Sequence, residues 1–402
     1  AKGLLSIGVT KGSKVGVWAK NVPDWMTFMF ATAKIGAVLV TVNTNYKNAE
    51  LEYIMKNADI HTMCMVNGYR DSDYVQILYE LKTTQRGKLR SEKFPELRNV
   101  VYIGQEKLRG MYNTSELMKL GTLVGDDELE RAKSRVDCHD EINMQYTSGT
   151  TGFPKAIVHA HRSLMHACLV EQKHHRQTRD DTFLCIPPLY HTGAKMHWFG
   201  SFLVGGKAVI LKGTKPEYIF ETVSKERCTI VWLLVPWAQD ILNALDSGRM
   251  RLEDYQLSQW RLMHIGAQPV PPSLIRRWKS VFPAHQYDTN YGLSESIGPG
   301  CVHLGVENSH KIGAIGKAGY GWQTRIVDET GKPVEPGAVG ELCLKGPGVM
   351  SCYYNDPKAT AEVLRDGWLF TGDMAMEDGD GFIYLVDRKK DVIVCGGENI
   401  YP

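Results

Sequence analysis

Residues 146–155 read Tyr146-Thr-Ser-Gly-Thr-Thr-Gly-Phe-Pro-Lys155. Thr147, Ser148, Thr150 and Thr151 offer hydroxyl donors. Gly149 and Gly152 free the backbone to turn its N–H groups toward one point, and Lys155 adds a positive charge. Such a stretch suits phosphate oxygens. It is not a Walker loop, because the G-x-x-x-x-G-K-[ST] spacing is absent. Taken alone, a Ser/Thr/Gly run of this kind reads more readily as a polar surface turn; its weight comes from the motifs downstream.

The elements that must hold it are legible on both sides. Ile142–Gln145 and Ala156–Val158 are apolar or mixed and predict two buried strands with the polar turn between them. Upstream, Lys14–Trp18 reads as a strand, Asp24 as a helix N-cap, and residues 25–36 as a helix. Trp25, Phe28, Met29, Thr32 and Ile35 form a stripe on that helix, which is core packing rather than a cofactor site. Gly36 ends the helix, and Ala37–Val42 is the next strand. A helix over 51–58, a strand over 61–66, a basic solvated loop over 80–97 and a short exposed helix over 126–131 follow. After the polar turn come a helix over 162–173 and a segment, 182–191, that carries His191 at a strand end. A helix runs from there to Gly205, and further strands fall at 207–211, 229–235 and 262–266. This strand–helix rhythm predicts α/β structure with parallel sheet. From residue 306 to 390, Gly, Pro and short alternating runs predict a small β subdomain, barrel-like in its pattern.

A chain of 402 residues is too long for one ordinary core. Apolar content of 43% is that of a globular protein, and a net charge of +2 gives no reason to expect nucleic acid or a charged membrane surface as partner. No apolar run reaches transmembrane length. Nine cysteines without paired or zinc-type spacing predict reduced thiols, hence a reducing compartment such as the cytoplasm. The start at Ala1 and the stop at Tyr401-Pro402 both read as cuts, which leaves organelle targeting open. Monomer and homodimer are equally open.

Thr147–Lys155 resembles the phosphate-binding signature of the adenylate-forming enzymes: acyl- and aryl-CoA synthetases, luciferases and the adenylation domains of peptide synthetases. Ala156 stands where that family usually has glycine. Tyr291-Gly-Leu-Ser-Glu295 resembles the family's Tyr-Gly-x-Thr-Glu, with Ser294 keeping the hydroxyl. Asp366-Gly-Trp-Leu-Phe-Thr-Gly-Asp373 and Asp387-Arg-Lys-Lys-Asp391 match two more segments, and Gly396-Gly-Glu-Asn-Ile-Tyr-Pro402 matches the acyl-CoA synthetase branch. The resemblance implies two α/β subdomains packed in layers over 1–305, the β subdomain over 306–389, and at 390–402 a hinge, pivoting on Lys390, into a further domain.

The resemblance also assigns residues. Tyr291 would stack on adenine, with Gly266, Ala267 and Gln268 as the opposite wall and Thr289, Asn290, Gly292 and Ser294 beside it. Asp373 would accept the ribose hydroxyls, and Arg388 would reach the ribose. Glu295, with Thr147, would bind Mg²⁺. His191 would orient the carboxylate substrate. The acyl pocket would draw on Gly193, Lys195, Trp198, Phe199, Phe202 and His264, and on Trp232, Val235 and Trp237 if that strand end also faces it, with Gly193 leaving the entrance open. Lys195 has two readings: a partner for a polar group on the substrate, or an aliphatic stem over apolar surface with its ammonium in water. ATP and coenzyme A are the implied co-substrates. The implied reaction is AMP-forming ligation of a carboxylic acid to coenzyme A, the acid being a medium- or long-chain fatty acid or, alternatively, an aryl acid. A non-catalytic nucleotide-binding protein is the rival outside catalysis, and the intact Lys155, Glu295, Asp373 and Arg388 speak against it.

Overall fold

The computed structural model describes the chain apart from residues 82, 86–87, 91–92, 148–153, 212, 304–307, 309, 389–392, 396–397 and 401–402; over 83–85, 88–90, 393–395 and 398–400 it describes backbone only. The chain divides into two compact, discontinuous units. One comprises Ala1–Arg162, Pro188–His191 and Met350–Pro357; the other comprises Ser163–Pro187, Thr192–Val349 and Lys358–Pro402.

The first unit is built on an eight-stranded sheet. Lys14–Trp18 lies in its middle, parallel to Val38–Thr41 on one side and Ile60–Met65 on the other. Its central strands Lys14–Trp18 and Val38–Thr41 are nearly continuous buried apolar runs, as strands covered on both faces require. Glu141–Thr147 runs parallel to Val38–Thr41 and antiparallel to Lys155–Ala160. In the helix Pro23–Lys34 the expected stripe is buried, and the Thr32 hydroxyl is absorbed by donating to Phe28 O at 2.9 Å and Met29 O at 3.0 Å. The N-cap is Val22, not Asp24: Pro23 takes the first helical position, and Asp24 falls in the first turn, where its charge suits the helix dipole. The loop expected over 80–97 instead contains a hairpin, Thr83–Gln85 with Lys88–Arg90. It ends on buried Phe94 and Leu97, apolar anchors that its basic composition had masked.

The second unit holds a fully parallel sheet in the order Lys207–Ile210, Thr182–Cys185, Ile230–Leu234, Leu262–Gly266, Gln286–Asp288. Helices Pro216–Glu226, Val235–Asp246 and Pro272–Val281 pack on it through Phe220, Ile241, Ile275 and Trp278. The expected 229–235 strand stops at Leu234 because Pro236 starts a helix there. The β-rich stretch forms antiparallel sheet from Gln323–Val327, Gly340–Lys345, Trp368–Glu377, Leu364–Arg365 and Ile383–Arg388. Register shifts at Glu341/Cys343 and Met374/Ala375 bend these strands, which gives the sheet its curl. A three-stranded sheet, Asn290–Tyr291, Cys301–Val302 and Lys317–Ala318, lies in the same unit. No described helix is long and apolar enough to cross a membrane.

Candidate active site

In the first unit, Thr147 and Lys155 are the last registered pair of the two antiparallel strands that flank the polar stretch. Lys155 Nζ lies over the Tyr353 ring, 4.8 Å from its centroid. Ser148, Gly149, Thr150, Thr151 and Gly152 fall outside the described residues, as does Lys390. His191 does not end a strand: that strand closes at Cys185, before the Pro187-Pro188 pair that cannot donate to a ladder. His191 is exposed in the turn that follows, donates its N–H to Pro188 O at 3.0 Å, and lies 4.5 Å from the Tyr190 ring.

The second unit brings Tyr291, Asp373 and Arg388 together. Strands Trp368–Glu377 and Ile383–Arg388 are antiparallel with Asp373 opposite Arg388, which sets Arg388 Nε 3.6 Å from Asp373 Oδ1. The Tyr291 hydroxyl donates to Asp373 Oδ2 at 2.6 Å. Burial raises the Asp373 carboxyl above its ordinary value, against the opposing pulls of the Tyr291 bond and the Arg388 charge. Burial and the adjacent Asp373 push the Tyr291 phenol well above its ordinary value, so it keeps the proton that it donates. Its ring is only 6% exposed, among Cys301, Trp322, Leu342 and Leu369. The turn carrying Asp373 is pinned. Thr371 donates its hydroxyl to Leu342 O at 2.7 Å and accepts from the Asp373 N–H at 3.1 Å, while Gly372, with φ of +72°, donates its N–H to Glu341 Oε1 at 3.0 Å. The result is a fixed carboxylate with one oxygen held by a donor and the other beside a cation, which suits a vicinal diol.

The strand Leu262–Gly266 delivers Gly266 next to Thr289 and Asn290: a Cβ on Gly266 would lie 3.7 Å from Asn290 O and 3.8 Å from Thr289 Oγ1. Ala267 follows with φ of +66°, a left-handed conformation costly for alanine, and Gln268 is exposed beside it. Gly292 has an internal reason to be glycine, since a Cβ there would meet Gly298 O at 2.0 Å. Ser294 and Glu295 sit half-buried on the 3₁₀ turn Ser294–Ser296. The Ser296 hydroxyl fixes that turn, accepting from Leu293 N at 2.9 Å and donating to Gly298 O at 2.7 Å.

The expected acyl segment is the helix Thr192–Leu203. Lys195 is 0% exposed, which removes the reading with its ammonium in water; burial lowers it to about 7. Trp198 and Phe199 are buried edge to face at 5.3 Å. Phe202 is 51% exposed, lying against Trp198 at 4.3 Å, so it is not an inner wall. At Gly193 a Cβ would fall 2.1 Å from Trp232 Cη2. The expected open entrance is thus filled by the Trp232 indole. Val235 and Trp237 belong to the first turn of the helix Val235–Asp246 and pack on the core around Leu233 and Ile241, because the strand ends one residue early. His264 is fully buried beside His175, His197 and Asp288. The residues joining it, from Glu171-Gln-Lys-His174-His175, were not singled out in the sequence. Their one signal was a carboxylate and an imidazole four residues apart.

The AMP-binding enzyme family profile matches residues 1–354. A candidate acyl-CoA synthetase of Bacillus subtilis (strain 168), YngI, is 35% identical over 412 residues, covering 100% of this chain and 74% of that protein. The mitochondrial medium-chain acyl-CoA ligase ACSF2 of Bos taurus is 32% identical over 416 residues, covering 100% of this chain and 67% of its own length. Among solved structures, the o-succinylbenzoate CoA synthetase MenE of Bacillus subtilis, in complex with its acyl-adenylate intermediate, shares the fold with a TM-score of 0.79 at 20% identity, over 100% of this chain and 73% of that one. The chain belongs to the AMP-binding enzyme family, among relatives named as acyl-CoA synthetases and ligases.

Proposed function

We propose that the enzyme ligates a carboxylic acid to coenzyme A in two steps. A carboxylate oxygen attacks the α-phosphorus of ATP, and the bond to the pyrophosphate leaving group breaks. The coenzyme A thiolate then attacks the acyl carbon, and AMP leaves. The observation that carries this reading is the Tyr291–Asp373–Arg388 arrangement, a preset acceptor for ribose hydroxyls. The hydroxyls and N–H groups of the Thr147–Lys155 stretch offset phosphate charge. Thr289, Asn290 and the Gly266–Gln268 turn are proposed to border the base. Glu295 offers a hard oxygen suited to Mg²⁺, as does the Thr147 hydroxyl, and that ion would offset phosphate charge when bound. His191 is assigned to orienting the acid.

The acid is proposed to be a medium- or long-chain fatty acid. The buried Trp198, Phe199 and Trp232 and the name of ACSF2 support this class. A second reading, an acid with a further polar group, is favoured by Lys195, which lies wholly inside on the same helix as Trp198 and Phe199. The eight described cysteines with assigned side chains are free thiols, which supports a reducing compartment, the cytoplasm first. The test is pyrophosphate release and free-thiol consumption with ATP, Mg²⁺, coenzyme A and a panel of saturated, aryl and dicarboxylic acids. Thiol consumption matching pyrophosphate, best with a medium-chain acid, is expected. Pyrophosphate release without thiol loss across the panel would overturn the ligase reading.

A further inference from the structure

One buried polar cluster of the second unit has no part in the reaction above. Glu171 and His175 lie four residues apart at the end of the helix His161–His174, where His175 N–H still donates to Glu171 O at 2.9 Å, so both side chains share a face. His197 comes from the helix Thr192–Leu203, and His264 from the strand Leu262–Gly266, whose register sets it opposite Asp288. All four side chains are 1% exposed or less. One donor atom from each of Glu171, His175, His197 and His264 lies within 4.8 Å of all the others.

The closest separations match those around a small ion. Glu171 Oε2 is 3.3 Å from His175 Nε2 and 3.2 Å from His197 Nδ1. Donors about 2.0–2.1 Å from a tetrahedral zinc ion stand roughly 3.3–3.4 Å from one another. The groups do not satisfy each other, however. Glu171 Oε2, both ring nitrogens of His197 and His264 Nε2 are buried without a hydrogen bond among the described residues. Orphaned buried polar atoms are costly, and a single shared ion could meet one from each of Glu171, His197 and His264.

The surroundings fit the same purpose. Asp288 Oδ2 lies 3.1 Å from His264 Nδ1, 3.3 Å from His175 Nε2 and 2.5 Å from His174 Nε2. The Asn290 amide donates to Glu171 Oε1. Asp288 on His264 Nδ1 leaves Nε2 of that ring for an ion, and a carboxylate behind a ligating imidazole, like a donor behind a ligating carboxylate, is a usual outer partner of a metal site. His174, His175, His264 and Asp288 also bring donors within 4.8 Å, but there Asp288 Oδ2 is already shared by three imidazoles. Vacant atoms remain there too, on His174, His264 and Asp288 Oδ1, but in the first quartet Glu171 Oε2 and the His197 nitrogens are vacant without a carboxylate oxygen already shared by three rings.

We propose that Glu171, His175, His197 and His264 bind one divalent transition-metal ion, Zn²⁺ by ligand chemistry, as a structural centre of the second unit. Imidazole and carboxylate donors suit Zn²⁺ and its neighbours rather than Ca²⁺ or Mg²⁺. With all four positions filled by protein, the ion is closed to substrate, and the site ties two helices to the parallel sheet.

The test begins with enzyme purified without a metal-affinity tag and stripped with dipicolinate, then titrated with Zn²⁺ or Co²⁺. A Cys138→Ser background silences the exposed Asp137-Cys138-His139 group, which could otherwise add a thiolate ligand. About one Zn²⁺ per chain, a Tm that rises on refilling, and intense visible Co²⁺ bands of four-coordinate N/O ligation are expected. Asp288→Asn should keep the site but weaken Zn²⁺ affinity about 10–100-fold, and Glu171→Gln should abolish the Co²⁺ bands. Should Glu171→Gln not fold, the Asp288→Asn affinity and the wild-type titration decide. Stripped, folded wild type that takes up neither ion and melts unchanged would overturn the proposal.

Discussion

The second unit holds two buried polar clusters that face opposite problems. Around Asp373, each carboxylate oxygen has a partner within the protein: the Tyr291 hydroxyl on one, the Arg388 guanidinium near the other. Arg388 is largely exposed, so this cluster reaches solvent and can receive a ligand from it. Around Glu171 and His264 nothing reaches solvent, and the donors outnumber the bonds they make. The first cluster is a binding surface already set for a substrate that comes and goes. The second is an interior whose polar atoms need an occupant that stays. Burial alone therefore does not separate a substrate site from a structural one; what separates them is whether the buried groups are satisfied before the ligand arrives.

The largest effect should come from Asp373→Asn. The amide keeps the size but replaces one acceptor oxygen with a donor, facing a Tyr291 hydroxyl that also donates. We expect adenylation to lose about 100-fold or more in kcat/KM for ATP, roughly 2.7 kcal/mol. Pyrophosphate release with ATP and with 2′- and 3′-deoxy-ATP measures it. If Asp373 accepts the ribose hydroxyls, the variant should discriminate far less against the deoxy analogues than wild type does. Equal discrimination in both proteins would remove the ribose role and erase the contrast between the clusters.

The same contrast governs what could be read from sequence. Thr371-Gly-Asp373 and Tyr291-Gly292 are contiguous, because a turn that grips a nucleotide is built by neighbours in the chain. The register that sets Arg388 beside Asp373 is a property of the sheet and was not visible. The quartet draws on two helices and a strand, with its outer partner on another strand; no short run contains it. His197 sits inside an apolar helix and His264 inside an apolar strand, where each alone reads as a packed histidine. In the fold, parallel sheet followed from the alternation of strands and amphipathic helices. Strand and helix edges slipped where proline decided them, at Pro23 and Pro236. Trp232 packing on Gly193 is likewise a long-range fact: the sequence offers Trp232 as pocket wall and Gly193 as open space, and only the fold sets the one against the other.

Lys195 shares its helix with His197 and gives the next effect. Burial lowers it to about 7 from an ordinary 10.5. Between those values the unfolded chain holds a proton that the folded chain has released, so stability rises with pH across that window; below about pH 7 the folded state carries the full cost of a buried ammonium. Lys195→Met should therefore raise Tm most below pH 7 and progressively less toward pH 10. In activity, a dicarboxylic or hydroxylated acid should lose about tenfold in kcat/KM while a fatty acid of the same length does not. A Tm gain independent of pH would contradict the buried charge, and parallel losses for both acids would leave the plain fatty-acyl reading standing.

The smallest effect, and the sharpest probe of the Asp373 cluster, is Tyr291→Phe. The ring and its packing remain; only the donor to Asp373 Oδ2 is lost, and stability should fall by about 1 kcal/mol. In wild type, burial raises the Asp373 carboxyl while the Tyr291 bond and the Arg388 charge hold it down. Removing one of the restraining groups must raise it further. A carboxylate that accepts the ribose hydroxyls works in its ionised form, so activity is lost as pH falls through its pKa. The acid limb of kcat/KM for ATP should then move to higher pH in the variant. The deficit should be several-fold in mildly acidic buffer and shrink as pH rises, where the carboxyl is ionised with or without its tyrosine. An acid limb that stays in place would mean that the hydroxyl contributes packing alone, and that the two clusters differ less than their hydrogen bonds indicate.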